Sequence, residues 1–513
     1  MKRQFAVGVC GAFVMATAVG VAQSFRAAVA AQDRGSATTG DIECSHLTML
    51  KLPDVTITGA TAVPAATSGS IRTAHCRVVG VIGTEIHFAL LLPYNWNHRF
   101  LMGGGGGYVG TVQNSAQDVV NLGYATVGTD TGHQGGGTDA SWALDNVERR
   151  VNFGYLAVHR TSEVAKAIIR SFYGNDATHS YFSGCSRGGG QALMEAQRFP
   201  DDFNGIVAAA PAFDWTGIAA QFVKDSQAAF PDPHNLMPMF SAETLKSVES
   251  QILDKCDAID GMKDGLMEDP RQCKLDVASL TGLTGAQRAA LKKIYGETRN
   301  KDGVIYPAQP FGGEGETAGW LSWITGPNPQ PERLAQGPTA RFAFGTQFFK
   351  YLVFNDPAWD YSRYDLSTWR KDTKLASTFM DATSPNLDAF KSKGHKLLLW
   401  HGWSDPALTT LASIRYYEQV EARDAQVRDY FRMFLLPGVL HCGGGPGPNN
   451  ADWTAAIADW VENNKAPERI VARKLDAGGA VPRTRPLCPY PQHAAYMGSG
   501  STDDAANFTC TAP

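Results

Sequence analysis

Ser186 stands at the centre of Gly184-Cys185-Ser186-Arg187-Gly188, a G-x-S-x-G pentad. A hydroxyl is a weak nucleophile until a base removes its proton. Two later residues have the right types to supply that base and to orient it. Asp405 lies in His401-Gly402-Trp403-Ser404-Asp405-Pro406, and His441 lies in Val439-Leu440-His441-Cys442-Gly443. His441 would take the Ser186 proton and return it to a leaving alcohol, while Asp405 would orient the ring and stabilise the imidazolium. Asp130 is a weaker rival for the acidic role, and His133 and His401 read as structural or pocket-lining. Cys185 directly precedes Ser186 and Cys442 directly follows His441. A disulfide between them would keep nucleophile and base together, because bridged Cα atoms lie roughly 4.4–6.8 Å apart. The alternative is two unrelated buried thiols.

A second constellation is Cys256-Asp257-Ala258-Ile259-Asp260-Gly261-Met262-Lys263-Asp264-Gly265-Leu266, continuing to Cys273. Three aspartates in eight residues, set between glycines and inside a cysteine pair, suit a hard cation with oxygen ligands. The spacing is not that of an EF-hand. By residue types alone the stretch reads equally as an acidic solvated turn.

These groups need elements to position them. His179 to Ser183 reads as a strand ended by Gly184, and Gln191 to Arg198 as a helix stopped by Pro200, so Ser186 sits on a strand-to-helix turn. Glycines on either side relieve the crowding of such a turn. Its free backbone N–H groups could stabilise an oxyanion. Strands are also expected over 77–83, 85–93, 99–102, 124–130, 205–211, 396–400 and 429–436, and helices over 156–172, 420–427 and 453–463. The stretch 32–70 is rich in small residues. Apolar strands alternating with helices predict a mostly parallel sheet covered on both faces. From about residue 213 to 385 that rhythm gives way to many Trp, Pro, Gly and Phe residues, which predicts an inserted lid. The order Ser186, Asp405, His441, with the acid just past a strand, is the order of the α/β-hydrolase fold. The expected organisation is therefore core (32–212), lid (213–385) and core again (386–513).

With 513 residues and a net charge of −4, the chain can build a large core, and it carries no basic run that would suit nucleic acid. Met1-Lys2-Arg3, an apolar stretch over 5–21 and Ala28-Val29-Ala30 predict a secretory signal peptide over 1–31. No later stretch is apolar for long enough to span a bilayer. The expected setting is thus the periplasm or the exterior, with no membrane partner. Cys10 would leave with the signal, and the eight cysteines that remain predict four disulfides. Proximity pairs Cys44 with Cys76, Cys256 with Cys273 and Cys488 with Cys510, which leaves Cys185 and Cys442 for each other.

Cys185-Ser186, then Asp405, then His441-Cys442, together with Arg483-Thr484-Arg485-Pro486-Leu487-Cys488-Pro489-Tyr490-Pro491, resemble the tannase and feruloyl esterase family over nearly all of the mature chain. The resemblance implies a secreted serine esterase with an α/β-hydrolase core and a large lid. It implies Ser186, Asp405 and His441 as the triad, working through an acyl-enzyme. It also implies an oxyanion hole made by the backbone N–H groups of Arg187 and of Gly104 in the glycine run Gly103 to Gly107. It implies a structural Ca²⁺ in the lid, held by Asp257, Asp260 and Asp264 and by the carbonyls of Met262 and Leu266. Substrates would be small esters of aromatic acids, of gallate or hydroxycinnamate type. Trp320 and Trp323 are candidates for the aryl pocket, as are Phe342, Phe344, Phe348 and Phe349, and each reads equally as lid core. Bacterial hydrolases of the terephthalate mono-ester are similar too and are expected to use a lid Arg and Phe. Around Leu334 to Pro338 neither stands in register, although Arg333 is one position away, which argues against that substrate. A general carboxylesterase or peptidase would keep the triad without the Cys185–Cys442 link, and a non-catalytic binding protein would need a broken triad.

Overall fold

A computed structural model describes residues 43–329 and 336–512. The expected signal peptide (1–31), and Arg333 and Leu334, lie outside the described residues. The expected strands fall into one nine-stranded sheet. Its members are β1 (Val55–Val63), β2 (His75–Ile82), β3 (Ile86–Pro93), β4 (Arg99–Gly103), β5 (Ala125–Thr129), β6 (His179–Cys185), β7 (Gly205–Ala209), β8 (Lys396–Gly402) and β9 (Phe431–Leu436). The spatial order is β1-β2-β3-β5-β4-β6-β7-β8-β9. The first three strands pair antiparallel, β3 meets β5 antiparallel, and every later pairing is parallel.

The parallel strands are apolar on both faces, and the two faces feed different cores. In β8, Leu397 and Leu399 join one buried cluster while Leu398 and Trp400 join the other. This alternation follows from the two-residue period of a strand. The first core takes the stripe Val158, Val164, Ala165, Ile168 and Ile169 of helix α1 (Ala157–Tyr173) and Ala192, Leu193 and Met194 of α2 (Arg187–Arg198). The second takes Ile457 and Trp460 of a helix over Trp453–Asn463. Burying one such leucine or isoleucine contributes roughly 1.5–3 kcal/mol.

Four expectations shift. Strand β6 continues through Gly184 to Cys185, and α2 begins at Arg187 rather than Gln191. The helix expected over 420–427 is Thr410–Arg423, capped by the Thr409 side chain and burying Ala412, Tyr416, Tyr417 and Val420. β1 lies inside the stretch read only as rich in small residues. The segment 213–385 is substantially helical, with α3 (Trp215–Ala229), α4 (Ala242–Cys256), α5 (Gly285–Tyr295) and α6 (Ala340–Gln347). Part of it has its own apolar cluster, around Leu245, Val248, Ile252, Leu291, Ile294 and Trp320. Among the described residues no helix is long and apolar enough to cross a membrane.

Candidate active site

Ser186 occupies the one-residue junction between β6 and α2 with φ 62° and ψ −121°. Few non-glycine residues adopt such a backbone, and it persists only when surrounding contacts over-determine it. Here they do. The Ser186 N–H donates to the Ala209 carbonyl at 3.0 Å, and its carbonyl accepts from Gly190 (3.0 Å) and Ala212 (2.8 Å). The flanking glycines are a steric requirement, since a Cβ on Gly184 would come within 2.7 Å of the Gly188 backbone.

The expected acid and base meet. Asp405 follows the end of β8 and is fully buried. Its Oδ1 accepts from the Ala407 and Leu408 N–H groups at 2.7 and 3.0 Å. Its Oδ2 contacts His441 Nδ1 at 2.8 Å and His401 Nε2 at 3.1 Å. Burial alone would push this carboxyl up, but the two imidazoles win and hold it well below the usual carboxylate range. His441 sits on the loop after β9, with its Nε2 buried and free of any protein hydrogen-bond partner. The next residue, Cys442, has φ 60° and is bonded to Cys185 with Cα atoms 5.8 Å apart. The other three disulfides pair as expected, Cys44–Cys76, Cys256–Cys273 and Cys488–Cys510. Asp130 is engaged elsewhere, with His87 Nδ1 at 2.8 Å and the Gly132 N–H.

The glycine run does not present Gly104 as expected. Its N–H donates to the Ser183 carbonyl at 2.9 Å, binding β4 to β6, so it is committed to the sheet. The next N–H, Gly105, donates to Gln191 Oε1 at 3.2 Å, a longer bond to a side chain on α2. A Cβ on Gly104 would meet Gly188 Cα at 2.6 Å, so this glycine is needed for the close pass over α2. Arg187, first residue of α2, has no acceptor for its N–H within the helix. Its side chain is buried beneath the turn, donating to the Phe153 and Gly154 carbonyls and lying over the Phe153 ring.

Of the two tryptophans, only Trp323 faces this site. Its ring meets that of His441 edge to face, centroids 5.0 Å apart, and stacks with Phe344 at 6.2 Å. Trp320 is fully buried against Tyr295 in the inserted segment's core and is no pocket wall. Phe342, Phe348 and Phe349 are core as well, which leaves Phe344 half-buried. Tyr108, which the motifs did not single out, donates from its hydroxyl to the Phe344 carbonyl at 2.9 Å.

The acidic stretch after α4 folds into a tight turn. Asp257 accepts the Gly265 N–H, Asp260 accepts those of Met262 and Glu268, and Asp264 accepts that of Leu266. Burial pushes Asp257 and Asp260 above their ordinary range, and it pushes neighbouring Glu268 up to about 7. Crowded, desolvated carboxylates of this kind suit a hard cation. Asp264 already gives one oxygen to the buried Arg485 guanidinium, which leaves it Oδ1 to offer. Met262 packs with Cys488, Ala494 and Phe508, so the C-terminal strands hold this turn. Among the described residues a different trio, His159, Glu195 and Asp202, brings metal-ligand atoms within 4.8 Å of one another. There His159 Nδ1 is already bonded to Asp202 at 2.7 Å.

Residues 70–511 match the family model of tannase and feruloyl esterase. An uncharacterized esterase of Xanthomonas campestris pv. campestris is 35% identical, the match covering 91% of each chain. A mono(2-hydroxyethyl) terephthalate hydrolase of Piscinibacter sakaiensis is 31% identical over 88% of this chain and 87% of its own. The crystal structure of feruloyl esterase B from Aspergillus oryzae superposes with a TM-score of 0.80 at 27% identity, covering 91% of this chain and 99% of that one. With the family model spanning most of its length and relatives of this closeness, the chain belongs to the tannase and feruloyl esterase family and is a carboxylic ester hydrolase.

Proposed function

We propose that the chain is an exported serine esterase that hydrolyses esters of aromatic acids, of hydroxycinnamate or gallate type, through an acyl-enzyme. One observation carries the reading: the Cys185–Cys442 bond joins the neighbour of Ser186 to the neighbour of His441, while His441 Nδ1 rests on a buried carboxylate. The partner-free Nε2 of His441 is the atom that would take the hydroxyl proton. Ser186 Oγ then bonds to the ester carbonyl carbon. The tetrahedral oxyanion is met by the backbone N–H groups of Arg187 and, in place of Gly104, Gly105, the latter released by Gln191. The C–O bond to the alcohol breaks, and His441 returns the proton to the departing oxygen. Water, activated by the same imidazole, frees the acid. Trp323 and Phe344 would wall the aryl group from a lid formed by residues 213–385. Asp257, Asp260 and Asp264, with the Met262 and Leu266 carbonyls, would hold a Ca²⁺ that braces the lid and takes no part in the reaction. The four disulfides support an oxidising compartment outside the cytosol.

The test is a panel of methyl ferulate, methyl p-coumarate, methyl gallate, the terephthalate mono-ester and a small aliphatic ester, run on the wild type and on Ser186→Ala. The wild type is expected to prefer a hydroxycinnamate or gallate ester, and Ser186→Ala to lose at least about 10³-fold in kcat. Undiminished turnover by Ser186→Ala would discard the mechanism. A preference for the aliphatic ester would discard the substrate class.

A further inference from the structure

The Asp405 carboxylate is gripped by two histidines, and of these His441 is tied to the Ser186 turn through the Cys185–Cys442 bond. Oδ2 receives His441 Nδ1 at 2.8 Å and His401 Nε2 at 3.1 Å. His401 is the penultimate residue of β8, four residues before Asp405, and is 1% exposed. Its Nε2 also lies 3.2 Å from the Leu408 carbonyl, and its Nδ1 lies 2.8 Å from the hydroxyl of Ser413, itself buried. Nε2 faces two groups that can only accept, an ionised carboxylate and a carbonyl, so the partners assign the proton to Nε2. Nδ1 is partnered by the Ser413 hydroxyl, which can donate or accept, so both ring nitrogens are engaged.

We infer that His401 is a positioning residue for the acid of the proposed triad, a second donor that sets the orientation and the basicity of the Asp405 carboxylate. The inference rests on that triad reading. Asp405 has four donors in all, two on each oxygen. The two backbone donors fix Oδ1. On Oδ2 the position of His441 is determined only if the carboxylate plane cannot rock, and His401 supplies the second contact that prevents this. It also shares the negative charge on Oδ2, so removing it leaves that charge to His441 alone. Among the described residues the buried Tyr306 hydroxyl also lies within electrostatic reach of this carboxylate, and Tyr306 in turn within reach of Arg341, Arg415 and Asp214. The residue types alone did not separate this role from a pocket-lining one, because the tautomer is legible only from where Leu408 and Ser413 fall.

The experiment compares His401→Leu, His401→Gln and Asp405→Asn with the wild type on the best ester of the panel, reading kcat, KM and the pH profile of kcat/KM. His401→Leu is expected to lose about 10- to 100-fold in kcat, with KM within about threefold. The acid limb of its profile should move to higher pH. His401→Gln places an amide N–H near the old Nε2 and is expected to recover most of kcat and the original limb. Should the leucine variant not fold, His401→Asn decides: its amide is too short to reach Oδ2, so the same limb shift is expected. The inference is overturned if the folded leucine or asparagine variant keeps the wild-type limb, or if glutamine rescues nothing. Wild-type activity in Asp405→Asn would instead overturn the triad reading itself.

Discussion

The bond between Cys185 and Cys442 can be removed without touching any proposed reacting group, by Cys185→Ala with Cys442→Ala. Two effects follow, and they are separable. The bond closes a loop of 257 residues, for which the chain-entropy relation gives a stabilisation of about 5.5 kcal/mol. That is a ceiling and a large part of the roughly 5–15 kcal/mol that holds a domain folded. The second effect is local. The Ser186 turn remains clamped by Ala209 and Ala212, but the His441 loop loses its covalent tie to it. Displacing a catalytic group by about 1 Å can cost about 10²-fold in rate, so kcat is expected to fall about 10- to 100-fold in protein that is still folded. The control is Cys488→Ala with Cys510→Ala. It opens a loop of 22 residues, worth about 3.4 kcal/mol, by removing the tie between Cys488 and Cys510 on the last strand of the C-terminal hairpin, and neither cysteine is next to a proposed reacting group in sequence. Urea unfolding gives the stabilities, and turnover of methyl ferulate below the transition gives kcat. The reasoning fails if the Cys185/Cys442 variant is destabilised but keeps the wild-type kcat within twofold, for then the bond stabilises the fold and aligns nothing.

Two further perturbations test the rest. EGTA should lower the melting temperature by several degrees, because an ion bound only to the folded state at a hundred times its Kd contributes about 2.7 kcal/mol; unchanged melting would count against the ion site at Asp257, Asp260 and Asp264. His133 has its ionisation pulled down to about 4 by burial, against the ring of Trp142 at 3.7 Å. The unfolded chain therefore binds a proton below about pH 6.5 that the folded one refuses until about pH 4, and this group's contribution to stability is lost as pH falls through that window, up to about 3 kcal/mol. Glu249 and Glu268, raised to about 7, act with the opposite sign, so the quantity to measure is the difference in unfolding free energy between wild type and His133→Gln at pH 7 and pH 5. The gap between the two proteins should change by kilocalories, and a constant gap would refute the assignment.

What could be read from the sequence was what one element type dictates locally. Apolar runs such as Leu397-Leu398-Leu399 announced strands buried on both faces, and Trp453, Ile457 and Trp460 announced a helix to its last residue. The disulfide pairing was legible because nearby cysteines leave one distant pair over. The helices of 213–385 were not, since α3 and α6 are buried nearly all round and show no apolar stripe to find. In the glycine run, side chains could not distinguish which N–H is spent on the sheet, so Gly104 stood where Gly105 is the freer donor. Trp320 and Trp323 are alike by type and three residues apart, yet one packs on Tyr295 and the other on His441. The Arg485 contact to Asp264 spans 221 residues, a pairing that no local pattern encodes.

Residues of 213–385 and their neighbours also engage the backbone around Asp405. Gln309 donates to the Asp405 carbonyl at 2.9 Å, Arg341 donates to the Pro406 carbonyl at 2.8 Å and to Gln309 Oε1 at 2.6 Å, and the Thr409 hydroxyl donates to the Ala308 carbonyl at 2.6 Å. Arg341 is itself paired with Asp225, both wholly buried. A buried ion pair is weak evidence for stability, because desolvating its two charges offsets most of their attraction, and an apolar pair of the same volume often serves as well. What an apolar pair could not do is orient three backbone and side-chain acceptors at once. The planar guanidinium does that, and besides Asp225 its targets are the Pro406 carbonyl, next to the proposed acid, and the glutamine that binds the acid's own carbonyl. The same segment places Trp323 edge-on against His441. Acid and base are therefore each held from the core by β8, His401 and the Cys185–Cys442 bond, and from the other side by residues of 213–385. If that segment is the lid proposed above, a movement opening its aryl pocket would also loosen the backbone at Asp405 and Pro406, which couples access to the site with alignment of its acid.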